Sequence, residues 1–299
     1  MTPQVRLPAV GGRMANGDLV KLTWRHRENS YNTQRARRAI VRMMARQLGD
    51  MGFRQLKAKN LKEKHALALI ERWRGEGLSA GTLKNRMGVL RWVYEKVNKS
   101  WMLTARNADY GIEKRRYVTN VDKARELTPE SLLRIKSEHV RLSVQLQREF
   151  GLRREEAMKI DAAWADRWSR LVLKGSWTKG GRPRDIPIET DAQRQLLDRV
   201  KAFTSGRSLI PAESTYIEHL KLYENQTAAA GLEKLHGLRH AYAQQRYETL
   251  TGRRAPVAGG SKNGDLSDEE KKRDREARMQ ISKELGHGRP GVVAVYVGR

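Results

Sequence analysis

Between residues 33 and 97, apolar side chains recur at steps of three and four, and much of what separates them is arginine or lysine. A repeat near 3.6 residues is the signature of helices with one buried face. Ile40, Met43, Met44 and Leu48 form the stripe of a basic amphipathic helix over about 33–51. Asn60 is placed to cap a second helix, with Leu61, Ala66, Leu69, Ile70 and Trp73 inward. Ser79 is placed to cap a third, along which Leu83, Met87, Leu90, Val93, Tyr94 and Val97 recur. The outer faces are cationic, with Arg35, Arg38 and Arg42 on the first helix and Lys84, Arg86 and Arg91 on the third. Charge runs are usually solvated helix faces. Here Lys and Arg exceed Asp and Glu by about 17 up to residue 121, and by about 9 thereafter. That much unneutralised charge in one compact helical unit points to DNA, with these six residues as its expected contacts.

The whole chain has 299 residues and a net charge of +26. Its length suits one large or two ordinary domains. A surplus of that size implies a polyanionic partner, nucleic acid first and an anionic membrane second. The membrane reading lacks an amphipathic anchor with aromatic depth, and no run of about 18 apolar residues offers a spanning helix. The N-terminus has no apolar export signal, so a cytoplasmic, nucleoid-associated location is expected. With no cysteine, disulfides, thiolate catalysis and cysteine–zinc sites are excluded.

Residues 1–20, rich in Gly and Pro, read as a flexible arm, and 21–121 as the helical DNA-binding domain. A basic linker runs to about 127. There Thr128 caps a helix with Pro129 in its first position, and this opens a second domain over 128–299. Helices are expected over about 129–150 and 154–163. Two extended runs follow, Arg170–Trp177 and Arg182–Ile188, joined by a Thr178-Lys179-Gly180-Gly181 turn. Helical patterning returns at about 190–203, 212–230 and 235–250. A charged segment at about 252–272 has no apolar period and reads as an exposed insertion, followed by a helix over about 273–285. The fold class is therefore mainly α with a small antiparallel β-sheet: a helical N-terminal domain and an α+β second domain.

The chemistry gathers around His236-Gly-Leu-Arg239-His240. Positions i, i+3 and i+4 share a helical face. Arginine grips a phosphate with two donors, and histidine donates or shuttles a proton near neutral pH. Arg153 follows a glycine break, with Glu156 three residues on. Alone, this pair is an ordinary surface salt bridge. Lys179 at the hairpin tip is alone an ordinary turn lysine, and Tyr296, after Leu285-Gly286-His287, would alone be packing. His236 and His240 have metal-ligand spacing, but no Glu follows His236 as a metalloprotease helix requires.

Taken in order, Gly-Leu-Arg153, Thr-Lys179-Gly-Gly, His236-x-x-Arg239-His240, Leu-Gly-His287 and Tyr296 resemble the tyrosine site-specific recombinase (phage integrase) family. The resemblance covers nearly all of the second domain, and the basic helical region resembles the family's core-binding domain. It implies that Arg153 and Arg239 bind the non-bridging oxygens of the scissile phosphate. It implies Lys179 as the acid for the leaving 5′-oxygen, and His236 and His287 as phosphate-contacting histidines. Tyr296 would be the nucleophile, forming a 3′-phosphotyrosine, with Glu156 and His240 supporting. No cofactor or metal is implied. The implied partners are double-stranded DNA, a tetramer in the synaptic complex from protomers that are monomeric when free, and accessory DNA-bending or directionality proteins. Two features depart from the pattern. Only three residues follow Tyr296, where relatives often extend into a segment that docks on a neighbour, and the 252–272 insertion is long. A catalytically inactive regulator and a type IB topoisomerase-like enzyme are the alternatives.

The charge alone generates a prediction. Contact with six to ten phosphates would make affinity for duplex DNA fall about 10³–10⁵-fold between 50 and 200 mM salt. A salt titration by fluorescence anisotropy measures this, and a flat profile contradicts it.

Overall fold

A computed structural model describes residues 16–299. The chain divides into two compact units, one up to Arg116 and one from Tyr117 to Arg299. The part of the expected arm before residue 16 lies outside the described residues.

The first unit is built from α1 (Gly17–Arg25), α2 (Tyr31–Asp50), α3 (Glu63–Gly75) and α4 (Ala80–Lys96), with short 3-10 turns between and after them. α1 corrects the expected arm, because residues 17–20 are already helical and bury Leu19 and Val20 against α2. Asn16 anchors this helix from the left-handed region, at φ 58°, where asparagine is tolerated. Its side chain donates to Ala45 O at 3.0 Å and Phe53 O at 2.8 Å, and accepts from Leu56 N at 2.6 Å. The stripe on α2 is rotated slightly from the expected one. Val41, Met44, Ala45 and Leu48 are buried, while Ile40 and Met43 lie at the margin. α4 is capped by Ser79, whose hydroxyl accepts from Thr82 N at 3.3 Å. Asn60 does not cap α3. It lies in a 3-10 turn, and the chain enters α3 at Lys62, whose N–H donates to His65 Nδ1 at 3.0 Å. Trp73, fully buried, centres the core and donates to Gln47 Oε1 at 2.8 Å.

The second unit contains α5 (Pro129–Leu133), α6 (Glu138–Phe150), α7 (Arg154–Lys159), α8 (Ala162–Ala165), β1 (Arg170–Leu173), β2 (Arg184–Pro187), α9 (Asp191–Thr204), α10 (Tyr216–Ala229), α11 (His236–Thr251), α12 (Asp268–Glu284) and α13 (Ala294–Val297). Thr128 caps α5, accepting from Ser131 N at 3.2 Å. The expected helices over 129–150 and 154–163 are each broken in two. The strands are antiparallel, with Arg170 opposite Pro187 and Leu173 opposite Arg184. They are shorter than the extended runs, because residues 175–177 turn back as a 3-10 segment. Leu171, Leu173 and Ile186 bury one face of the hairpin in a core with Phe150, Leu197, Ile281 and Leu285.

The second unit begins at Tyr117, inside the expected first domain, and it also takes in the expected linker up to about 127. Arg125 N–H donates to Gly237 O at 3.1 Å, and Gln244 Nε2 to Asp122 Oδ1 at 2.8 Å. A Cβ at position 237 would sit 2.4 Å from Arg125 Cγ and 2.5 Å from Lys123 O, so the glycine between His236 and Leu238 admits this segment. The expected insertion is also more ordered than its composition implies. Ala255 and Leu266 are buried, and α12 begins at Asp268, capped by Ser267 in a reciprocal box with Glu270. Among the described residues no helix is long and apolar enough to cross a membrane.

Asn16→Ala should destabilise the first unit by about 2–4 kcal/mol, because the buried partners of its side chain lose their bonds. Urea denaturation of the full chain, with hydrogen exchange read on α1 and α2, measures it. Unchanged protection in α1 would contradict the anchoring role.

Candidate active site

Three turns converge in the second unit. The first is the break after α6. Gly151 has φ +58°, and a Cβ there would lie 2.4 Å from the Tyr242 ring, so only glycine fits. The turn delivers Arg153 to the start of α7, where its backbone N–H donates to Glu156 Oε2 at 2.7 Å and its Nη1 to Glu156 Oε1 at 2.7 Å. The second is the start of α11, carrying His236, Arg239 and His240. The third is the Leu285-Gly286-His287 turn after α12, with Gly286 at φ +65°. His287 N–H donates to Ser282 O at 2.7 Å, and Ser282 Oγ donates back to His287 O at 3.0 Å.

Arg239 is the joint between them. It is 1% exposed, and its guanidinium donates to Gly151 O and Leu285 O and, through Nε, to the Tyr296 hydroxyl at 3.4 Å. Arg153 Nη2 reaches the same Leu285 O at 3.5 Å. Tyr296, on α13, is nearly buried, and its hydroxyl lies 3.1 Å from His287 Nε2. The His240 ring lies 4.7 Å from the Tyr296 ring, centroid to centroid, and the His236 ring 6.1 Å. Arg153, Glu156, His236, Arg239, His240, His287 and Tyr296 are thus assembled from segments far apart in sequence. Beyond Tyr296 the chain is held in place, with Arg278 Nη1 donating to Gly298 O at 2.9 Å and Arg299 N–H to Asn120 Oδ1 at 3.2 Å.

Lys179 is not part of this assembly. It lies exposed in the 178–181 turn, with no hydrogen bond to the cluster among the described residues. Thr178 Oγ1 ties the turn by donating to Arg182 O at 2.7 Å, and Gly180 and Gly181 hold φ of +80° and +70°.

The charges are unevenly compensated. Burial lowers the pKa of Arg239 to about 10, partly offset by Tyr296, so it stays cationic at neutral pH. Burial, followed by the charges of Arg239, Arg153 and Arg184, brings His287 down to about 4, and it is neutral at pH 7. His240 is brought to about 4 by burial and then by His236 and Lys123. His236 keeps an exposed edge, yet the protein packed around its ring, then Arg239 and Arg153, lower its pKa too. A neutral His287 beside a phenol can exchange a proton with it.

The sequence reading missed the ionic frame behind these groups. Arg184 on β2 holds both oxygens of Glu156, at 3.0 and 2.7 Å, and donates from Nε to Glu284 O at 2.7 Å. Glu284 in turn accepts from Tyr242 Oη at 2.8 Å and Arg246 Nε at 3.0 Å. Strand alternation was the available signal, since Arg184 shares the inward face of β2 with Ile186.

In the first unit, Arg35 and Arg42 are exposed on α2 and Lys84 is half-buried on α4. Arg38 stacks on Trp24, 3.6 Å from the ring centroid. Arg86 and Arg91 do not stand free as expected. Arg86 pairs with Glu76 at 2.9 Å, and Arg91 holds the following loop through Thr104 O at 3.0 Å and Asn107 Oδ1 at 2.7 Å. Both lie where α4 meets neighbouring chain, so internal acceptors compete for their donors.

Burial by itself would raise the Glu156 carboxyl, but the hydrogen bonds and charge of Arg184 and the charge of Arg153 outweigh it and lower its pKa to about 2. A depressed carboxyl stabilises the fold fully above its unfolded value, near 4.5, and that stability is lost as pH falls towards 2. Glu156→Gln should therefore flatten the acid limb of a Tm–pH profile between pH 5 and 3. It should also lower stability at pH 7 by about 3–5 kcal/mol, since Arg184 is left buried and unpaired. An unchanged Tm at pH 7 would contradict this.

Two family models match the chain. One, phage integrase, N-terminal, covers residues 13–102, and the other, integrase, covers residues 114–245. The second match takes in Arg153, Lys179, His236, Arg239 and His240 and ends before His287 and Tyr296. No curated protein matches. Among solved structures, a lambda integrase dimer bound to a COC′ core site is similar with a TM-score of 0.59 and 17% identity, over 94% of this chain and 77% of that one. The Tn1549 transposon integrase in complex with circular intermediate DNA gives a TM-score of 0.54 and 15% identity, over 96% of both chains. A lambda integrase tetramer bound to a Holliday junction gives 0.57 and 17%, over 93% of this chain and 74% of that one. At these identities the structural likeness concerns the fold alone. With both family models, the order of the motifs and the shared fold, the chain belongs to the tyrosine recombinase (phage integrase) family.

Proposed function

We propose that this chain is a site-specific DNA recombinase that cleaves and rejoins strands through a covalent 3′-phosphotyrosine on Tyr296. The observation that carries the reading is the hydroxyl of Tyr296, 3.1 Å from His287 Nε2 and within reach of Arg239 Nε at 3.4 Å, all in one chain. A tyrosine hydroxyl is a poor nucleophile until a base or cations assist it, and both are adjacent.

In the proposed step, the Tyr296 oxygen attacks the scissile phosphorus. The Tyr296 O–P bond forms, the bond from phosphorus to the 5′-oxygen breaks, and the phenolic proton passes to neutral His287. Lys179 gives a proton to the departing 5′-oxygen, which requires the hairpin tip to close over the DNA. Arg153, Arg239 and His236 face the non-bridging oxygens and offset the charge that gathers in the transition state. Glu156 holds Arg153, and His240 packs on the Tyr296 ring. Rejoining reverses the step with another strand's 5′-hydroxyl. The phosphotyrosine conserves the bond energy, so no nucleotide cofactor is consumed.

The partner is double-stranded DNA, contacted in the first unit by Arg35, Arg42 and Lys84, which form no ion pair among the described residues. By analogy with the lambda tetramer on a Holliday junction, four protomers would exchange strands between two duplexes. Accessory DNA-bending proteins would set the direction.

A nicked suicide duplex, its sequence selected for binding from random DNA, tests the reading on a denaturing gel. The wild-type chain should become covalently attached, and Tyr296→Phe should bind the DNA but form no adduct. An adduct surviving in Tyr296→Phe overturns the assignment. Lys179→Ala should slow single-turnover cleavage by about 10²–10⁴-fold with DNA affinity unchanged, and an unchanged cleavage rate removes it from the acid role.

A further inference from the structure

We propose that Arg184 is a positioning residue for this phosphate transfer, holding Arg153 through Glu156 and holding the carbonyl-bearing turn on which Arg239 rests. The inference rests on the recombinase reading and adds a residue to it. Arg184 touches none of the reacting groups. Its side chain is 5% exposed, and all of its bonds run to the back of the site.

The geometry has two arms. On one side, Arg184 Nη1 and Nη2 donate to the two Glu156 oxygens, and the same oxygens accept from Arg153 Nη1 and from the Arg153 backbone N–H, both at 2.7 Å. One carboxylate, 1% exposed, is therefore shared by two guanidinium groups. On the other side, Arg184 Nε donates to Glu284 O at 2.7 Å. The next residue, Leu285, presents the carbonyl that accepts from both Arg239 and Arg153. The stem of Arg184 also lies under Gly286, where an added Cβ would be 3.0 Å from Arg184 Cδ. His287 follows directly. A single side chain thus braces the supports of Arg153, Arg239 and His287, and it stands on the same hairpin that carries Lys179.

Stability alone gives little reason for this arrangement. Well-packed apolar side chains often serve a core as well as a buried ion pair or better. A bidentate guanidinium fork, in contrast, fixes the plane of its carboxylate, and lysine does not reproduce that. Orienting Arg153 is the property that apolar packing cannot supply.

The test compares the wild-type chain with Arg184→Met, Arg184→Lys and Arg184→Met/Glu156→Gln on the nicked duplex described above. Binding should stay within about twofold of wild type. The single-turnover rate of adduct formation per folded molecule should fall about 10²-fold in both single variants, the scale of a misplaced catalytic group. Arg184→Lys keeps the charge and should recover most of the thermal stability without recovering the rate.

A pH profile adds a readout that a purely structural role would not move. In Arg184→Met, Glu156 keeps its burial and loses its strongest counter-charge, leaving Arg153 as the facing cation. The ratio of its rate to wild type should then fall as pH is lowered. Glu156→Gln in the double variant should remove that slope. Taking the ratio cancels the titration of His236 and His240, and the double variant, which equally lacks the Arg184 charge beside His287, separates the Glu156 slope from any shift at His287. A rate per folded molecule equal to wild type in Arg184→Met or Arg184→Lys would overturn the proposal, as would a loss confined to DNA affinity. If the wild-type chain itself forms no adduct, the recombinase reading falls, and this proposal with it.

Discussion

A buried guanidinium with no carboxylate partner is the constraint on which the site depends. Arg239 is almost completely enclosed, and its donors go to two backbone carbonyls and a phenol. Among the described residues no acid pairs with it. Carbonyl dipoles satisfy its hydrogen-bonding geometry but leave its charge uncancelled, and a buried charge of that kind is costly unless something compensates it. The carbonyls come from Gly151 and Leu285, one from each of the turns that present Arg153 and His287. Seating Arg239 therefore brings those turns into register, and in the proposed reaction the scissile phosphate would supply the missing negative charge.

The acids that would otherwise neutralise this centre are occupied behind it. Glu156 is held by Arg184 and Arg153, and Glu284 by Arg246 and Tyr242. The surplus of positive charge is thus a local arrangement as well as a property of composition. The same burial and cationic crowding leave His240 and His287 neutral. The result separates fixed cations, suited to holding an anion, from neutral imidazoles, suited to moving a proton.

Much of the arrangement could be read from the residues. The periodicity of α3 and α4, the Ser79 and Thr128 caps and the hairpin all follow from short-range rules. The order of the motifs identified the residues that now surround Tyr296. What escaped was set by long-range packing. α1 was hidden because Asn16 anchors it through carbonyls of distant residues. The Ser267-x-x-Glu270 box marked the true start of α12, but the charge around it masked the signal. Arg86 and Arg91 looked like free cations because sequence gives no sight of Glu76, Thr104 and Asn107 folding back to meet them. Arg184 looked like one more basic residue, since only the fold sets Glu156 and the Glu284 carbonyl around it. Lys179 is the converse case: the motif is plain, and the lysine stands apart from the cluster it is proposed to serve.

Whether this cluster makes a phosphotyrosine can be read from the chemical identity of the covalent link. Wild-type chain trapped on nicked DNA, digested with protease and nuclease, can be sequenced by mass spectrometry. One modified peptide is expected, with a nucleotide joined through its 3′-phosphate to Tyr296. A link through a 5′-phosphate, or through any other side chain, would contradict it.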